Sequence, residues 1–290
     1  MFVIAGVSGN VGAFAAQTLL DGGHSVRVIV RDEAKGKRWA DAGAEVAVGS
    51  LDNVAFLTET LKGSEGTFLL VPPPPYSVPN FRDYQRRMGE ALLAAVKTSG
   101  VPHVVLLSSV GAEQVSGTGP IAGIHPVEQG LRGLTRATFI RAANFMENAS
   151  NSLGAARSQG IYPTFTPAAY AFDMVSVADI GAAVARALLD VPSGLRIINL
   201  AGPREYSPAD VASTLGHVLG REVHAVELPL ASAAATLQSW GMPEQFAGIF
   251  AEMYEGAMAG RITWDSEGTL VRGNVTLDQA LARLVENTVG

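Results

Sequence analysis

Glycine lets a backbone approach an anion more closely than any other residue, and near the start of the chain it recurs as Gly6-Val7-Ser8-Gly9-Asn10-Val11-Gly12. The spacing is Gly-x-x-Gly-x-x-Gly, not the Gly-x-Gly-x-x-Gly of the commonest dinucleotide fingerprint. Its surroundings give it meaning. The apolar run Phe2 to Ala5 precedes it and the helix-periodic stretch Val11 to Leu20 follows. In such a strand–turn–helix unit, the backbone N–H groups and the helix N-terminus meet a pyrophosphate. Every residue from Gly6 to Gly12 is therefore expected to bind a dinucleotide cofactor.

The end of the second strand selects between cofactors. An acid there bonds the free ribose hydroxyls of NAD, whereas a cation accommodates the 2′-phosphate of NADP. Here the chain reads Val30-Arg31-Asp32-Glu33-Ala34-Lys35, with Arg31 at the strand end and Lys35 one helical turn further. Both are expected to face the phosphate, so NADP(H) is preferred over NAD(H). Topology then places Ser50 and Leu51, after the third strand, beside the adenine, and Val71 and Pro72, after the fourth, beside the ribose.

Ser109 closes the fifth strand, where a serine can join a Tyr-x-x-x-Lys pair in protonating a carbonyl oxygen. That pair is absent. The residues four places after tyrosines 76, 84, 162, 170, 206 and 254 are Asn80, Met88, Thr166, Met174, Asp210 and Met258, and every lysine (35, 37, 62, 97) precedes the fifth strand. Chemistry that handles a strongly basic alkoxide is thereby disfavoured. His125 is the remaining proton donor or orienter near neutral pH, and Ser109 is retained as its candidate companion. Asn144 and Phe145 follow the sixth strand and are expected to face the nicotinamide pocket, with Tyr76 on the Pro72-Pro73-Pro74-Pro75 loop closing over the substrate. Histidines 24, 103, 125, 217 and 224 have no ligand spacing and there is no cysteine, so no metal site is expected.

These positions require an α/β scaffold. Apolar runs at Phe2 to Ala5, Ser25 to Val30, Glu45 to Val48, Thr67 to Val71 and His103 to Leu107 alternate with helical patterns at Val11 to Leu20, Glu33 to Ala42, Val54 to Leu61 and Phe81 to Ser99. Such alternation predicts a Rossmann-type doubly wound parallel sheet covered on both faces. Further strands at Ala137 to Arg141 and Arg196 to Leu200 extend it, and helices at Val177 to Leu189 and Pro208 to Leu219 flank the latter. Glycine-bounded helices at Leu230 to Trp240, Pro243 to Met258 and Leu277 to Asn287 complete the reading. The predicted division is 1–150 as the NADP-binding domain, with 175–202 returning to it, and 151–174 plus 203–290 as a smaller, mainly helical substrate lid.

With 27 acidic against 21 basic residues the net charge of −6 disfavours direct nucleic-acid binding. Glycine and charged residues interrupt every apolar stretch, so no membrane span is expected. The first residues lack a basic targeting segment, and the chain is expected to be cytoplasmic.

Gly6 to Gly12, Arg31 with Lys35, Pro120 to Glu128, Arg141 to Asn148 and Val175 to Gly181 together resemble the NmrA-like family of atypical short-chain dehydrogenase/reductases. The resemblance implies a Rossmann domain with a small C-terminal substrate domain. It also implies NADPH-dependent reduction of quinones, azo dyes or triphenylmethane dyes, or else non-catalytic NADP sensing through a protein partner. The expected function is hydride transfer from NADPH to a quinone or related aromatic acceptor, and homodimerisation is left open.

Overall fold

A computed structural model describes residues 1–286 and 288 of the chain. The first half alternates strand and helix throughout. β1 (Phe2–Ile4), α1 (Asn10–Asp21), β2 (Val26–Val30), α2 (Glu33–Asp41), β3 (Glu45–Val48) and α3 (Val54–Leu61) form one arm. β4 (Gly66–Leu70), α4 (Phe81–Ser99), β5 (His103–Ser109), α5 (His125–Leu131) and β6 (Arg136–Ala142) form the other.

After a short β7 (Asn144–Phe145) come α6 (Leu153–Gln159), β8 (Ile161–Thr164), β9 (Phe172–Val175), α7 (Val177–Leu189) and β10 (Leu195–Ala201). The remainder comprises β11 (Glu205–Tyr206), α8 (Pro208–Leu219), β12 (His224–Glu227), α9 (Ala233–Ser239), α10 (Glu244–Met258), β13 (Thr269–Arg272) and α11 (Leu277–Glu286). The predicted helix at Leu230 to Trp240 begins instead as a 3₁₀ turn, Leu230–Ser232, and Asn287, the expected end of the last helix, lies outside the described residues.

An eight-stranded sheet runs in the order β13-β10-β6-β5-β4-β1-β2-β3, every neighbouring pair parallel. One face packs Val7, Ala15, Leu19, Trp39, Ile180 and Leu188 against Phe2, Val28 and Phe68. The other packs Leu57, Leu92, Val96 and Leu131 against Val3, Leu69, Val104 and Phe139. Strands buried from both sides must be continuously apolar, which explains the uninterrupted β-branched runs. α1 and α7 press together because Gly181 has no side chain: a Cβ there would lie 2.4 Å from Phe14 Cβ.

The C-terminal division differs from expectation in one respect. Thr269–Arg272, assigned to the lid within 203–290, pairs with Ile198–Ala201 as the edge strand of the main sheet. Two small sheets, β11-β9-β7 and β12-β8, lie outside the main sheet. A third core joins α6, α8 and α11 through Met146, Leu153, Leu215 and Leu281, and a fourth gathers Phe165, Leu237 and Ala247. No helix among the described residues is long and apolar enough to cross a membrane.

Candidate functional site

All strands of the main sheet are parallel, so their carboxyl ends share one edge. Strand order reverses between β1 and β4, and the two connections that leave in opposite directions open a crevice there. Gly6 turns out of β1 at φ 69°, and Gly9 N donates to Gly6 O at 2.9 Å. Gly12 is confined by the protein itself, since a Cβ would lie 2.5 Å from Ala5 O. Gly9 is different: its φ of −104° suits any residue, and a Cβ would meet only Gly6 O at 3.5 Å. Val7 and Val11 anchor the loop in the core, while Ser8, Gly9 and Asn10 are exposed. The first turn of α1 carries neither an acidic residue nor a side-chain cap, leaving its N–H groups and dipole available to an anion.

Arg31 follows β2 and, with Lys35, is exposed and forms no ion pair among the described residues. The adjacent acid is already engaged, because Asp32 caps α2 by accepting from Ala34 N at 2.9 Å. Gly49 N donates to Val30 O at 2.8 Å, which ties the Ser50–Leu51 loop to the end of β2. Leu51, Val71 and Tyr84 form a half-buried rim on the second core. Burial raises the Tyr84 phenol above its usual range; the Arg31 charge opposes this and Asp52 reinforces it, which sets both charged residues near the same ring. The structure thus groups Arg31, Leu51 and Val71 on one side of the crevice, with Ser50 and Pro72 half-buried in the same loops.

At the ends of β5 and β6, Ser109 Oγ donates to Val110 O at 3.0 Å. His125 Nδ1 lies 3.0 Å from Ala112 O. A carbonyl can only accept, so Nδ1 carries the proton and Nε2 is left with a free lone pair in the neutral ring. Asn144 is exposed and accepts from Asn148 Nδ2 at 3.0 Å, whereas Phe145 leans half-buried on the first core. Tyr76, 56% exposed, meets Phe246 of α10 edge-on at 5.0 Å. Gln245 fastens that loop by bonding Val78 O at 2.9 Å and Phe81 N at 3.0 Å.

Beneath this edge lies a charge cluster whose pairing the sequence did not reveal. Arg141 and Glu128 are both essentially inaccessible, and they are joined by Nε–Oε1 and Nη2–Oε2 contacts of 3.0 and 2.6 Å. Arg141 Nη1 also donates to Asp265 at 2.5 Å, and Ser108 Oγ donates to Glu128 at 2.5 Å. Burial works against the Arg141 charge, but Glu128 and then Asp265 more than compensate and hold its pKa above the usual arginine value. The available signal was an arginine within the apolar strand Ala137 to Arg141, a residue type almost never fully buried unless paired.

A family model described as the NmrA-like family matches residues 1–267. The chain belongs to the NmrA-like family. It is 27% identical over 256 residues to an NAD(P)H azoreductase of Xenophilus azovorans, covering 88% of this chain and 86% of that protein. It is likewise 27% identical over 275 residues to quinone oxidoreductase 2 of Escherichia coli (strain K12), covering 92% and 91%. Among solved structures, an NADPH complex of the NADPH-dependent quinone oxidoreductase QOR2 from Escherichia coli superposes with a TM-score of 0.81 at 25% identity, over 98% of this chain and 100% of that one.

Several residues of the NmrA-like motifs serve the scaffold in this chain. Glu147 bonds Ser176 Oγ at 2.7 Å and Val177 N at 3.0 Å at the start of α7. Asp179 accepts from Val275 N at 3.0 Å, holding the loop after β13, and Gly181 permits the α1–α7 contact. Glu128 sits on the same short helix as His125, so its pair with Arg141 fixes the helix that presents the imidazole.

Proposed function

We propose that this NmrA-like protein is an NADPH-dependent reductase that passes hydride to a quinone or a related aromatic acceptor. The observation that carries the reading is Gly9. Neither its backbone conformation nor its neighbours among the described residues require glycine, and it stands exposed as the N-cap of α1, whose first turn has no side-chain cap. A pyrophosphate fits that cradle. In this reading Gly6 to Gly12 hold the pyrophosphate, Arg31 and Lys35 the 2′-phosphate, Ser50 and Leu51 the adenine, and Val71 and Pro72 the ribose. The relatives named for quinone and azo-dye reduction support the substrate class.

When bound, the reduced nicotinamide supplies the hydride. The protein's own task is to orient the acceptor and manage one proton. Asn144, Phe145 and Tyr76 border the acceptor, and Ser109 orients the polar edge of the site. His125, locked by Ala112 O, presents Nε2 and can deliver a proton from that nitrogen when protonated. A quinone accepting hydride gives a stabilised anion, so a weak donor suffices where a Tyr–Lys pair is missing. Alignment then supplies most of the acceleration. The test is NADPH consumption by purified protein with a panel of quinones and azo and triphenylmethane dyes. Saturable turnover with a quinone is expected, and tight NADPH binding with no turnover on any member would replace this reading with a sensor.

A further inference from the structure

The cation that sequence spacing did not single out is Arg38. It stands on α2 three residues beyond Lys35, spacing that brings these two cations to one flank of the helix, and Arg31 precedes the helix immediately before its cap Asp32. Its Nη2 donates to Val7 O at 3.0 Å, and its guanidinium lies 4.5 Å above the ring of Trp39. Val7 is the residue immediately after the turn at Gly6, and Trp39 is 3% exposed in the core. One N–H and one flat face of the guanidinium are therefore fixed by the protein. Its other N–H groups have no acceptor among the described residues, although the side chain is exposed. Two of the nearby acids are engaged elsewhere: Asp32 is spent as the cap of α2, and Asp41 pairs with Lys37 at 2.9 Å.

A planar cation held by one hydrogen bond and one stacking contact is preorganised for a tetrahedral oxyanion, because little rotamer freedom remains to be lost on binding. Through Val7 O it joins the glycine loop to the helix that carries Lys35. We infer that Arg38 is a specificity-determining residue, the third arm of a 2′-phosphate cradle with Arg31 and Lys35. This inference rests on the NADPH reading given above. The contrasting role is that of a brace, in which Arg38 only steadies the Val7 carbonyl. A brace would affect both dinucleotides equally, since both carry the same pyrophosphate.

The experiment measures dissociation constants of the full chain for NADPH and NADH at one ionic strength, for wild type, Arg38→Ala, Arg38→Lys and Arg31→Glu. Adenosine 2′,5′-bisphosphate serves as a probe that has the 2′-phosphate but no nicotinamide. Arg38→Ala should weaken NADPH and the bisphosphate about 5- to 20-fold, the value of one exposed charge-assisted contact, and NADH less than about twofold. Arg38→Lys keeps the charge and should recover part of the loss. Equal weakening of NADPH and NADH, or no weakening of either, overturns the inference. Failure of the parent reading looks different: wild type would not prefer NADPH, and Arg31→Glu would leave the ratio unmoved.

Discussion

Gly9 and Gly12 lie three residues apart, the first capping α1 and the second inside its first turn, and the structure requires their substitution to fail in different ways. At Gly12 a Cβ would sit 2.5 Å from Ala5 O and 2.6 Å from Gly6 C, both backbone atoms that cannot swing aside. Gly12→Ala should therefore overpack the strand–helix junction and cost about 1–3 kcal/mol of folding stability. At Gly9 the one neighbour of a Cβ among the described residues is Gly6 O at 3.5 Å, an ordinary contact, and φ of −104° is open to any side chain. Gly9→Val should thus leave stability within about 1 kcal/mol of wild type, as expected of an exposed site. Its branched side chain would instead occupy the pyrophosphate cradle and weaken NADPH at least about 100-fold, or roughly 2.7 kcal/mol. Urea denaturation gives the first quantity and calorimetry on the folded variants the second. Undiminished NADPH affinity in Gly9→Val would remove the cradle from the account, and an unperturbed Gly12→Ala would refute the packing argument.

Arg31→Glu should lower the ratio of NADPH to NADH affinity about 10-fold or more, since it replaces attraction with repulsion at the 2′-phosphate; paired titrations showing a change below about threefold would make Arg31 a plain surface charge. His125→Ala should leave NADPH binding unchanged and slow quinone turnover less than about 100-fold, and steady-state kinetics showing complete loss would mean the imidazole is indispensable. Glu128→Ala strands the buried Arg141 with Asp265 as its remaining close partner and should cost about 3–5 kcal/mol in urea denaturation; a loss below about 1 kcal/mol would contradict the cluster's role. His103, fully buried in β5 with Nε2 3.2 Å from Thr138 Oγ1, is held down to about 4 by burial and then by Arg196 and Arg136. The unfolded chain takes up that proton near 6.5, so stability is whole above that pH and falls as pH drops towards the folded value. From about pH 8 to about pH 5 the wild type should lose about 2 kcal/mol more than His103→Val, and parallel curves would sink the assignment.

The parallel sheet was legible because its strands are covered on both faces and therefore read as unbroken apolar runs. β13 escaped notice for the opposite reason. As an edge strand it leaves Leu270 and Val271 47% and 36% exposed, and Thr-Leu-Val-Arg has neither alternation nor length to mark it. The strands of the small sheets, down to two residues each in β7 and β11, depend on partners distant in sequence and have no local signature. The glycine loop could be read because a tight turn and close packing dictate residue type locally. The Glu128–Arg141–Asp265 cluster could not, since its members come from α5, β6 and the segment before β13, and only the fold makes them neighbours. Arg38 was hidden in the same way: on a helix it reads as a solvated charge until Val7 O is seen beside it. Asp32 shows the converse, an acid near the cofactor-selecting position whose carboxylate is committed to capping its own helix.

Rapid mixing of the protein, preloaded with a single equivalent of NADPH, against increasing concentrations of a quinone tests the central claim most directly. Bound NADPH should be oxidised in one exponential phase whose rate saturates with quinone, and Gly9→Val should abolish the phase. Bound NADPH that stays reduced at every quinone concentration, or is oxidised no faster than free NADPH, would contradict it.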